Sequence, residues 1–308
     1  MPAVPPSVQI QTVLYDTAAQ TVDRWMWAVA KATCLGRAGG AVGSVRVAIG
    51  DASAAPVLDA AAVDALSEAA AAGTPGGAGG VDAVEYRFFD ANRGSAGGHN
   101  ALMGLSATDL VLILNPDTVA ASTLLERLVP RLTDLSVGIA EARQLPVEHP
   151  KAWSEPDGDT SWASGACSLV RRSVLEEVGG YDADTFFLYC DDVDLSWRVR
   201  SAGHRVVFEP SARVFHDKRL DAGGRVVVSA AEEYYAAEAA LLLTHKWSRP
   251  DLTDVYRSGL LAHGSLRERQ AVEAFDLRRA LGTLPAPLDP EHRVGEFHEG
   301  GRWAVHRW

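Results

Sequence analysis

The sequence has few cysteines, and none of them form a recognisable motif. Cys34, Cys167 and Cys190 lie far apart, with no CxxC pair among them, which argues against a zinc knuckle and against a disulfide framework. Isolated thiols are typical of chains kept in a reducing compartment. We therefore expect buried structural thiols in a cytoplasmic protein, with a cysteine nucleophile as the minor alternative.

The sequence also lacks a basic excess and long apolar runs. Its 308 residues contain 40 Asp and Glu against 29 Lys and Arg, a formal charge of -11. A protein that neutralises many phosphates needs the opposite excess, so no nucleic-acid partner is expected. No segment approaches the ~18 consecutive apolar residues of a spanning helix, and residues 1–6 lack the basic and apolar regions of a signal peptide.

Short apolar runs that alternate with helical patterns predict an α/β fold. Strands are predicted at residues 8–15, 44–49, 84–89 and 109–114, with helices between them. The last of these runs is apolar almost throughout, as a strand covered on both faces requires. This order predicts a parallel sheet that binds ligands beyond the carboxyl ends of its strands.

The rest of the chain is less regular. Glycine-rich residues 94–98 predict a turn, while residues 73–80 and 144–160 predict surface loops, the first of them mobile. Further predicted elements are strands at 168–170 and 205–208 and helices at 173–178, 192–202, 231–245 and 266–281.

One acidic residue directly follows the most apolar strand. Asp117 ends the motif Asn115-Pro116-Asp117, where the proline stops strand pairing and the carboxylate is expected to face the crevice. A helix cap is the alternative interpretation. One such carboxylate is enough for Mg²⁺ if a diphosphate supplies further oxygens.

A second acidic group lies at 186–200, where Asp191, Asp192 and Asp194 occur beside apolar residues. Clustered acids repel each other, which raises the proton affinity of at least one and suits a proton acceptor. A negatively charged helix N-terminus explains them equally well, and spacing alone leaves both interpretations open. His216, taken alone, is more typical of a packed or surface histidine than of a ligand.

Together these motifs resemble the inverting nucleotide-sugar glycosyltransferases of family 2, and within them the bacterial rhamnosyltransferase-like enzymes of cell-wall and polysaccharide assembly. The resemblance spans about residues 8–216. It is carried by the segments 14–16, 50–53, 92–100, 114–117, 164–167, 171–172, 179–182 and 191–198, followed by Pro210 and His216.

The resemblance implies a GT-A fold, with a Rossmann-like, mostly parallel central sheet flanked by helices. It implies a catalytic domain at 1–219, made of a donor half at about 1–143 and an acceptor half at about 161–219. Residues 220–308 are then a mainly helical C-terminal region. Their helices are expected to pack in the core or to form a homodimer, because 231–245 has acidic rather than basic polar positions, which disfavours anionic lipid.

The implied reaction is a metal-dependent transfer, with inversion, of a sugar from a nucleotide diphosphate donor to an acceptor hydroxyl. The donor is expected to be dTDP-rhamnose-like or UDP-hexose-like or UDP-GlcNAc-like, and the cofactor Mg²⁺ or Mn²⁺. The acceptor is expected to be a glycan, a lipid-linked compound or a small molecule. A cytoplasmic enzyme, peripheral at the inner membrane face, fits these substrates.

The resemblance also implies roles for particular residues. Asp192 is implied as general base, with Asp191 beside it. Asp117 is implied as a metal ligand, and His216 as a further metal ligand or a diphosphate contact. Trp162, Gly165, Asp194 and Trp197 are implied on the acceptor side. The implied nucleotide-binding residues are Tyr15, Asp16, Asp51, Ser53, Asn92, Arg93, Gly97, Gly98, Asn100 and Asn115.

The chain departs from the family pattern at two places. The family commonly has Asp-Asn where this chain has Gly50-Asp51, and Glu where it has Asp191. The contact to the nucleotide base and the acceptor contact from these positions therefore stay open.

Two other functional classes are weighed against this one. A catalytically silent nucleotide-sugar binding or scaffold subunit is the alternative, but such a protein has no use for the base Asp192. A dinucleotide-dependent oxidoreductase needs a G-x-G-x-x-G turn after the first strand, and residues 15–21 contain no glycine.

Overall fold

The computed structural model describes residues 4–73, 79–148, 151–218 and 227–304. Predictions for 74–78 and 149–150, within the two expected surface loops, fall outside the described residues. The strands are β1 (Val8–Leu14), β2 (Val45–Asp51), β3 (Ala83–Phe88), β4 (Leu110–Leu114), β5 (Thr118–Ala120), β6 (Val137–Leu145), β7 (Cys167–Arg171) and β8 (Arg205–His216).

Helices connect these strands and follow the last of them. They are α1 (Ala19–Ala38), α2 (Ala60–Ala72), α3 (Gly94–Met103), α4 (Leu124–Leu128), α5 (Arg172–Glu177), α6 (Asp191–Ser201), α7 (Ala230–Lys246), α8 (Pro250–His263) and α9 (Leu266–Leu281). Short 3₁₀ helices lie at Val129–Thr133 and Glu299–Gly301.

The strands form one sheet in the order β3-β2-β1-β4-β7-β6-β8-β5. The first four are parallel, since β1 pairs in parallel with β2 and β4, and β2 with β3. β7 runs antiparallel to β4 and to β6, and β5 antiparallel to β8, while β6 and β8 are parallel. The sheet is therefore mixed, and the predicted parallel arrangement holds for its first half.

The central strand β4 is covered on both faces, as its apolar sequence predicts. Leu110, Leu112 and Leu114 belong to a buried cluster with residues of α1, α2 and α4. Val111 and Ile113 belong to a second cluster with residues of α3, α5 and α6. Alternate side chains of a strand point to opposite faces, so this strand joins the two layers of helices.

Besides the short strand β5, which was not predicted, three elements differ from the prediction. The glycine-rich residues 94–98 form the first turns of α3. β6 was not predicted, because its buried stretch contains Glu141 and Gln144 and lacks a regular alternation of apolar and polar residues. β8 continues through Pro210 to His216, so His216 lies on a strand that pairs with β5 and is not isolated.

The three helices after the sheet pack against α6. Trp162, Phe186 and Trp197 share a buried cluster with Leu241 and other residues of α7 and α9, and the Trp197 ring meets the Trp247 ring edge to face at 5.1 Å. Both α7 and α9 begin with a capping box, at Ser229 and Ser265, which satisfies the free N–H groups of a first turn. In the described part of the chain, no helix has both the length and the apolar character needed to cross a membrane.

Candidate active site

A cavity of about 210 Å³ opens where the carboxyl end of β4 meets the amino end of β7. The two ends are tied together by the backbone N–H of Asn115, which donates to the carbonyl of Ala166 at 3.0 Å. Asn115, Trp162 and Gly165 line the cavity from this side, and Asp191, Asp192 and His216 line it from α6 and β8. Residues predicted on both the donor and the acceptor sides therefore meet in one cavity.

The chain reverses sharply just before the acidic pair. Tyr189 and Cys190 have φ angles of 67° and 56°, in the left-handed region that few residues other than glycine adopt. Cys190 is the N-cap of α6, so the first residues of the helix follow directly on this turn. Conformations of this kind cluster at functional sites.

The two carboxylates of the pair differ in exposure and in hydrogen bonding. Asp191 is only 6% exposed, whereas Asp192 is partly exposed at the cavity. The Asp192 carboxylate accepts hydrogen bonds from the backbone N–H groups of Gly165 and Val193, each at 2.8 Å. A group that takes a proton from a substrate must be reachable, so the geometry favours Asp192 as the base.

Burial raises the pKa of both carboxyl groups. For Asp191, burial acts first and the neighbouring charge of Asp192 adds to it. For Asp192, burial is opposed by the N–H groups of Gly165 and Val193 and by the positive charge of Lys151. A carboxyl group with a raised pKa holds a transferred proton better at neutral pH, which suits a general base.

Lys151 and Glu141 form a buried ion pair behind this site that the sequence analysis missed. Their side chains are 2% and 0% exposed. The Lys151 ammonium also donates to the carbonyl of Trp162 at 3.2 Å and lies 4.1 Å from the centre of its ring. Burial raises the pKa of Glu141 to about 7, although Lys151 acts in the opposite direction. The signal in the sequence was a glutamate flanked by alanines inside β6.

Asp117, His216 and Gln144 form a hydrogen-bonded row at the edge of the cavity. His216 Nδ1 donates to Gln144 Oε1 at 2.8 Å, and the other ring nitrogen, Nε2, faces Asp117 Oδ2 at 3.2 Å. An imidazole nitrogen and a carboxylate oxygen at this distance share a proton or serve as two ligands of one cation. Asp117 Oδ1 is also buried without a hydrogen-bond partner.

This row fits a divalent metal that takes two ligands from the protein. Two adjacent ligands of an octahedral Mg²⁺, each at ~2.0–2.1 Å, lie about 3 Å apart, close to the observed separation. Among the described residues there is no group of three or more His, Cys, Asp or Glu placed to hold a metal. The remaining ligands would then be water and substrate oxygens, which is usual for Mg²⁺ at phosphates.

The predicted nucleotide-binding residues fall into two groups, and the first is accessible. Tyr15 is 58% exposed beyond β1, and Asp16 next to it has a φ of 47°. Asn92 and Arg93 are exposed at the start of α3, and Gly97 is half-buried in its first turns. Tyr15 and Asp16 thus follow the carboxyl end of β1, while Asn92, Arg93 and Gly97 follow β3 and Asn115 follows β4.

The residues of the second group make contacts within the protein. Asp51 is fully buried and accepts from the backbone N–H groups of Ser53 and Val57 and from the Tyr86 hydroxyl. Burial tends to raise the pKa of Asp51, but these hydrogen bonds outweigh it and hold the pKa below its usual value. The Ser53 hydroxyl accepts from the N–H of Asp16 at 2.9 Å. Asp51 and Ser53 therefore shape the loop after β2, and their predicted contact with the nucleotide stays a prediction.

Gly98 and Asn100 also have internal partners. A Cβ on Gly98 would lie 2.8 Å from both methyl groups of Val13, so glycine lets α3 pack closely on β1. The Asn100 side chain donates to the carbonyl of Tyr181 at 2.7 Å and accepts from its N–H at 2.9 Å. Both residues position elements around the cavity, and their predicted contact with the nucleotide stays a prediction.

Two predicted acceptor-side residues lie away from the cavity. Asp194 is fully buried and binds Arg198 and Lys246, each at 2.7 Å, and Trp197 is enclosed by Trp247 and Phe297. Two residues of a helix that are two apart point in nearly opposite directions. The helix prediction could therefore have separated Asp194 from Asp192. Trp162 and Gly165 do line the cavity.

Comparison with known proteins finds similarity to glycosyltransferases. Residues 154–233 match a family model described as "Glycosyltransferase like family 2". The chain is 36% identical over 119 residues to an N-acetylglucosaminyl-diphospho-decaprenol L-rhamnosyltransferase of Mycobacterium tuberculosis, an alignment that covers 38% of each protein. It is 28% identical over 189 residues to a pre-mycofactocin glycosyltransferase of the same species, covering 55% of this chain and 38% of that protein. The matched part thus spans under half the length of these relatives.

Solved structures show the same fold. A mannosyltransferase from Pyrobaculum calidifontis, in complex with GDP-Man and Mn²⁺, aligns with a TM-score of 0.54 at 16% identity, over 91% of this chain and 81% of that one. GalNAc-T7 with UDP, GalNAc and Mn²⁺ aligns with a TM-score of 0.64 at 14% identity, over 92% and 55%. The sheet topology and these likenesses define a GT-A fold. Within that class, residues 154–233 are similar to glycosyltransferase family 2.

Proposed function

We propose that this protein transfers a sugar from a nucleotide diphosphate donor to an acceptor hydroxyl, with inversion at the anomeric carbon. The observation that carries the proposal is the partly exposed carboxylate of Asp192 in a cavity that also contains His216, the neighbour of Asp117. A silent binding subunit would need Asp117 and His216 to hold the donor, but it would not need the Asp192 carboxylate. The family match and the glycosyltransferase relatives support the same reaction.

Asp192 acts on the acceptor. A sugar or alcohol hydroxyl is a poor nucleophile until its proton is removed, and a positioned base contributes about 10²–10⁴-fold to such a step. The N–H of Gly165 fixes one carboxylate oxygen of Asp192, which orients the group toward the cavity. The hydroxyl proton passes to Asp192 as the new glycosidic bond forms, and attack opposite to the diphosphate inverts the anomeric carbon.

Asp117 and His216 act on the donor. They would hold a divalent cation, Mg²⁺ or Mn²⁺, which when bound stabilises the negative charge that develops on the leaving diphosphate. Gln144 accepts from Nδ1 of His216 and so keeps Nε2 directed at Asp117. The exposed residues Tyr15, Asp16, Asn92 and Arg93 are proposed to hold the base, ribose and phosphates.

Substrates and organisation are proposed on the same basis. The named rhamnosyltransferase relative supports a dTDP-rhamnose-like donor first and a UDP-hexose-like or UDP-GlcNAc-like donor second. A glycan or lipid-linked acceptor at the inner membrane face is consistent with the decaprenol in that name. We assign donor binding to about 1–143, acceptor binding to about 161–219, and a supporting role to 220–308.

The experiment that tests the base is the Asp192→Asn variant. We expect it to abolish sugar transfer and the slow hydrolysis of the donor in the absence of acceptor, while nucleotide-sugar affinity stays near normal. The matched control is Asp184→Asn, an exposed acid between α5 and α6, which should keep full activity. Turnover at the unaltered rate in Asp192→Asn places the base elsewhere, with Asp191 the next candidate.

Two further measurements identify the donor. A thermal-shift panel of dTDP-, UDP- and GDP-sugars with Mg²⁺ or Mn²⁺ ranks the nucleotides, and mass spectrometry detects hydrolysis of the sugar that binds best. A nucleotide-sugar that binds and is never hydrolysed or transferred indicates the silent binding subunit.

A further inference from the structure

One wall of the cavity comes from a distant part of the chain. Trp303 and Ala304, which follow α9, line the same cavity as Asp191 and Asp192. Trp303 is also packed against the buried cluster that joins α6 to the last three helices. No site residue was predicted after His216.

The segment that carries Trp303 is fixed to the domain at its start. The N–H of Leu288 donates to the carbonyl of Lys246 at 2.6 Å, and the Ser248 hydroxyl donates to the carbonyl of Leu288 at 2.6 Å. Asp289 then accepts from three backbone N–H groups, those of residues 293–295, at 2.8–2.9 Å. These contacts define a hydrogen-bonded turn attached to the C-terminal end of α7.

The middle of the segment is held by α6. Arg200 donates to the carbonyl of Val294 at 3.0 Å and binds the carboxylate of Glu296 at 2.7 Å. The ring of Phe297 meets the ring of Trp197 edge to face at 5.1 Å. The segment thus follows α6 back toward the end that carries the acidic pair.

A tight turn then presents Trp303. Gly300 and Gly301 have φ angles of 73° and 75°, and the N–H of His298 donates to the carbonyl of Arg302 at 2.7 Å. The Tyr256 hydroxyl donates to the carbonyl of Gly301 at 3.2 Å. Trp303 is therefore supplied by an anchored turn, so its position at the cavity is part of the fold.

The cavity combines aromatic rings with carboxylates. Trp162, Tyr181, Tyr189 and Trp303 line it together with Asp191 and Asp192. A pyranose ring has the complementary pattern, with C–H groups on its face and hydroxyls at its edge. C–H groups are attracted to the negative face of an aromatic ring, and carboxylates accept from hydroxyls. At about 210 Å³ the cavity lies below the ~300–1,000 Å³ of drug-sized pockets, a size for one sugar ring.

We propose that Trp303 binds the acceptor, and that the acceptor hydroxyl belongs to a pyranose ring whose face packs on Trp303 while its edge points to Asp192. This inference rests on the proposed glycosyltransferase function. It adds that the group receiving the sugar is itself a sugar, whatever aglycone or lipid follows it, and that residues after α9 take part in choosing it.

The test uses the full chain with its preferred nucleotide-sugar and a panel of sugar acceptors. The probes are octyl glycosides of glucose, N-acetylglucosamine, mannose and rhamnose, with 1-octanol and a serine-containing peptide as hydroxyl compounds without a ring. The variants are Trp303→Ala and Trp303→Phe. The matched control is Trp27→Ala, a tryptophan of α1 that is 60% exposed.

We expect transfer to at least one octyl glycoside and none to 1-octanol or the peptide. Trp303→Ala should raise KM for that glycoside about tenfold, the scale of one lost aromatic stacking contact, with donor KM and acceptor-free donor hydrolysis unchanged. Trp303→Phe should recover most of the loss, and Trp27→Ala should behave as the unaltered protein.

Three results overturn the inference. The first is transfer to 1-octanol or the peptide, or to no member of the panel. The second is an unchanged acceptor KM in Trp303→Ala. The third is a rise in donor KM or a loss of donor hydrolysis in that variant, which would place the ring on the donor or make it structural. If the unaltered chain neither binds nor hydrolyses any nucleotide-sugar, the proposed function itself has failed.

Discussion

The backbone N–H of Gly165 donates to Oδ2 of Asp192 across 2.8 Å. This bond joins the loop that precedes β7 to the first turn of α6. It stabilises the charged form of a carboxylate whose burial otherwise favours the protonated form. The proton affinity of Asp192 is thus set by a balance between burial, this bond and the charge of Lys151.

The first prediction concerns pH. Because the folded protein raises the pKa of Asp192, the base loses activity as pH falls through a value above the ~3.9 of an ordinary aspartate. We expect kcat/KM for transfer to fall on the acid side with an apparent pKa above that value, shared between Asp191 and Asp192. The measurement is kcat/KM from pH 4.5 upward, and a flat profile down to the acid limit of stability would contradict the assignment.

The second prediction concerns the buried pair behind the site. Lys151→Met removes a positive charge that favours ionised Asp192, so the acid limb of the pH profile should move to higher pH. It also leaves Glu141 buried without its partner, a change that typically costs ~3–5 kcal/mol of unfolding free energy.

The double variant Glu141→Gln with Lys151→Met separates the two effects. Replacing both charges removes the unpaired one, so most of the stability measured by urea unfolding should return. The limb of the pH profile should stay shifted. If the unfolding free energy and the position of the acid limb both return to those of the unaltered protein, Lys151 acts only through packing.

The third prediction concerns the metal. Asp117→Ala removes the buried oxygen that lacks a partner, and we expect it to abolish the dependence of nucleotide affinity on Mg²⁺ or Mn²⁺. Calorimetric titration of UDP or dTDP, with and without EDTA, measures this directly. Asp64→Ala, an exposed acid on α2, is the control that should retain the metal dependence, and equal loss in both variants would refute the assigned role of Asp117.

The fourth prediction concerns the packing of α3 on β1. Gly98→Ala would bring a Cβ to 2.8 Å from two methyl carbons of Val13, and overpacking of this kind costs ~1–3 kcal/mol. Gly104→Ala is the matched control, because a Cβ there meets nothing within 4 Å. Thermal unfolding of both variants tests the difference, and the pair Gly98→Ala with Val13→Ala should recover part of the loss if the clash is the cause.

Local patterns in the sequence were enough to predict the first half of the fold. β4 is predictable because a strand buried on both faces must be apolar, and Asp117 is predictable because it follows that strand directly. The start of α6 was predicted for the same reason, whereas the role of Asp192 followed from the family resemblance and stays a prediction.

Features that depend on distant partners were not predictable in this way. Asn100 looks like a polar residue free to bind a ligand until the fold brings the backbone of Tyr181 against it. Glu141 is tolerated in β6 only because Lys151 returns to pair with it. Such pairings are decided by tertiary packing, and periodicity in one segment carries no information about them.

The reversal of strand direction between β4 and β7 has a consequence for how this protein can diversify. Ser95 after β3 and Asn115 after β4 reach the cavity from one side of this boundary, which we call the seam. The loop that precedes β7 reaches it from the other side, and the bond from Asn115 to Ala166 joins the two. Substitutions in the loops on one side of the seam do not alter the strands that support the loops on the other side. The seam divides the molecule into two surfaces that can acquire new specificities one at a time, while the carboxylate between them keeps its position.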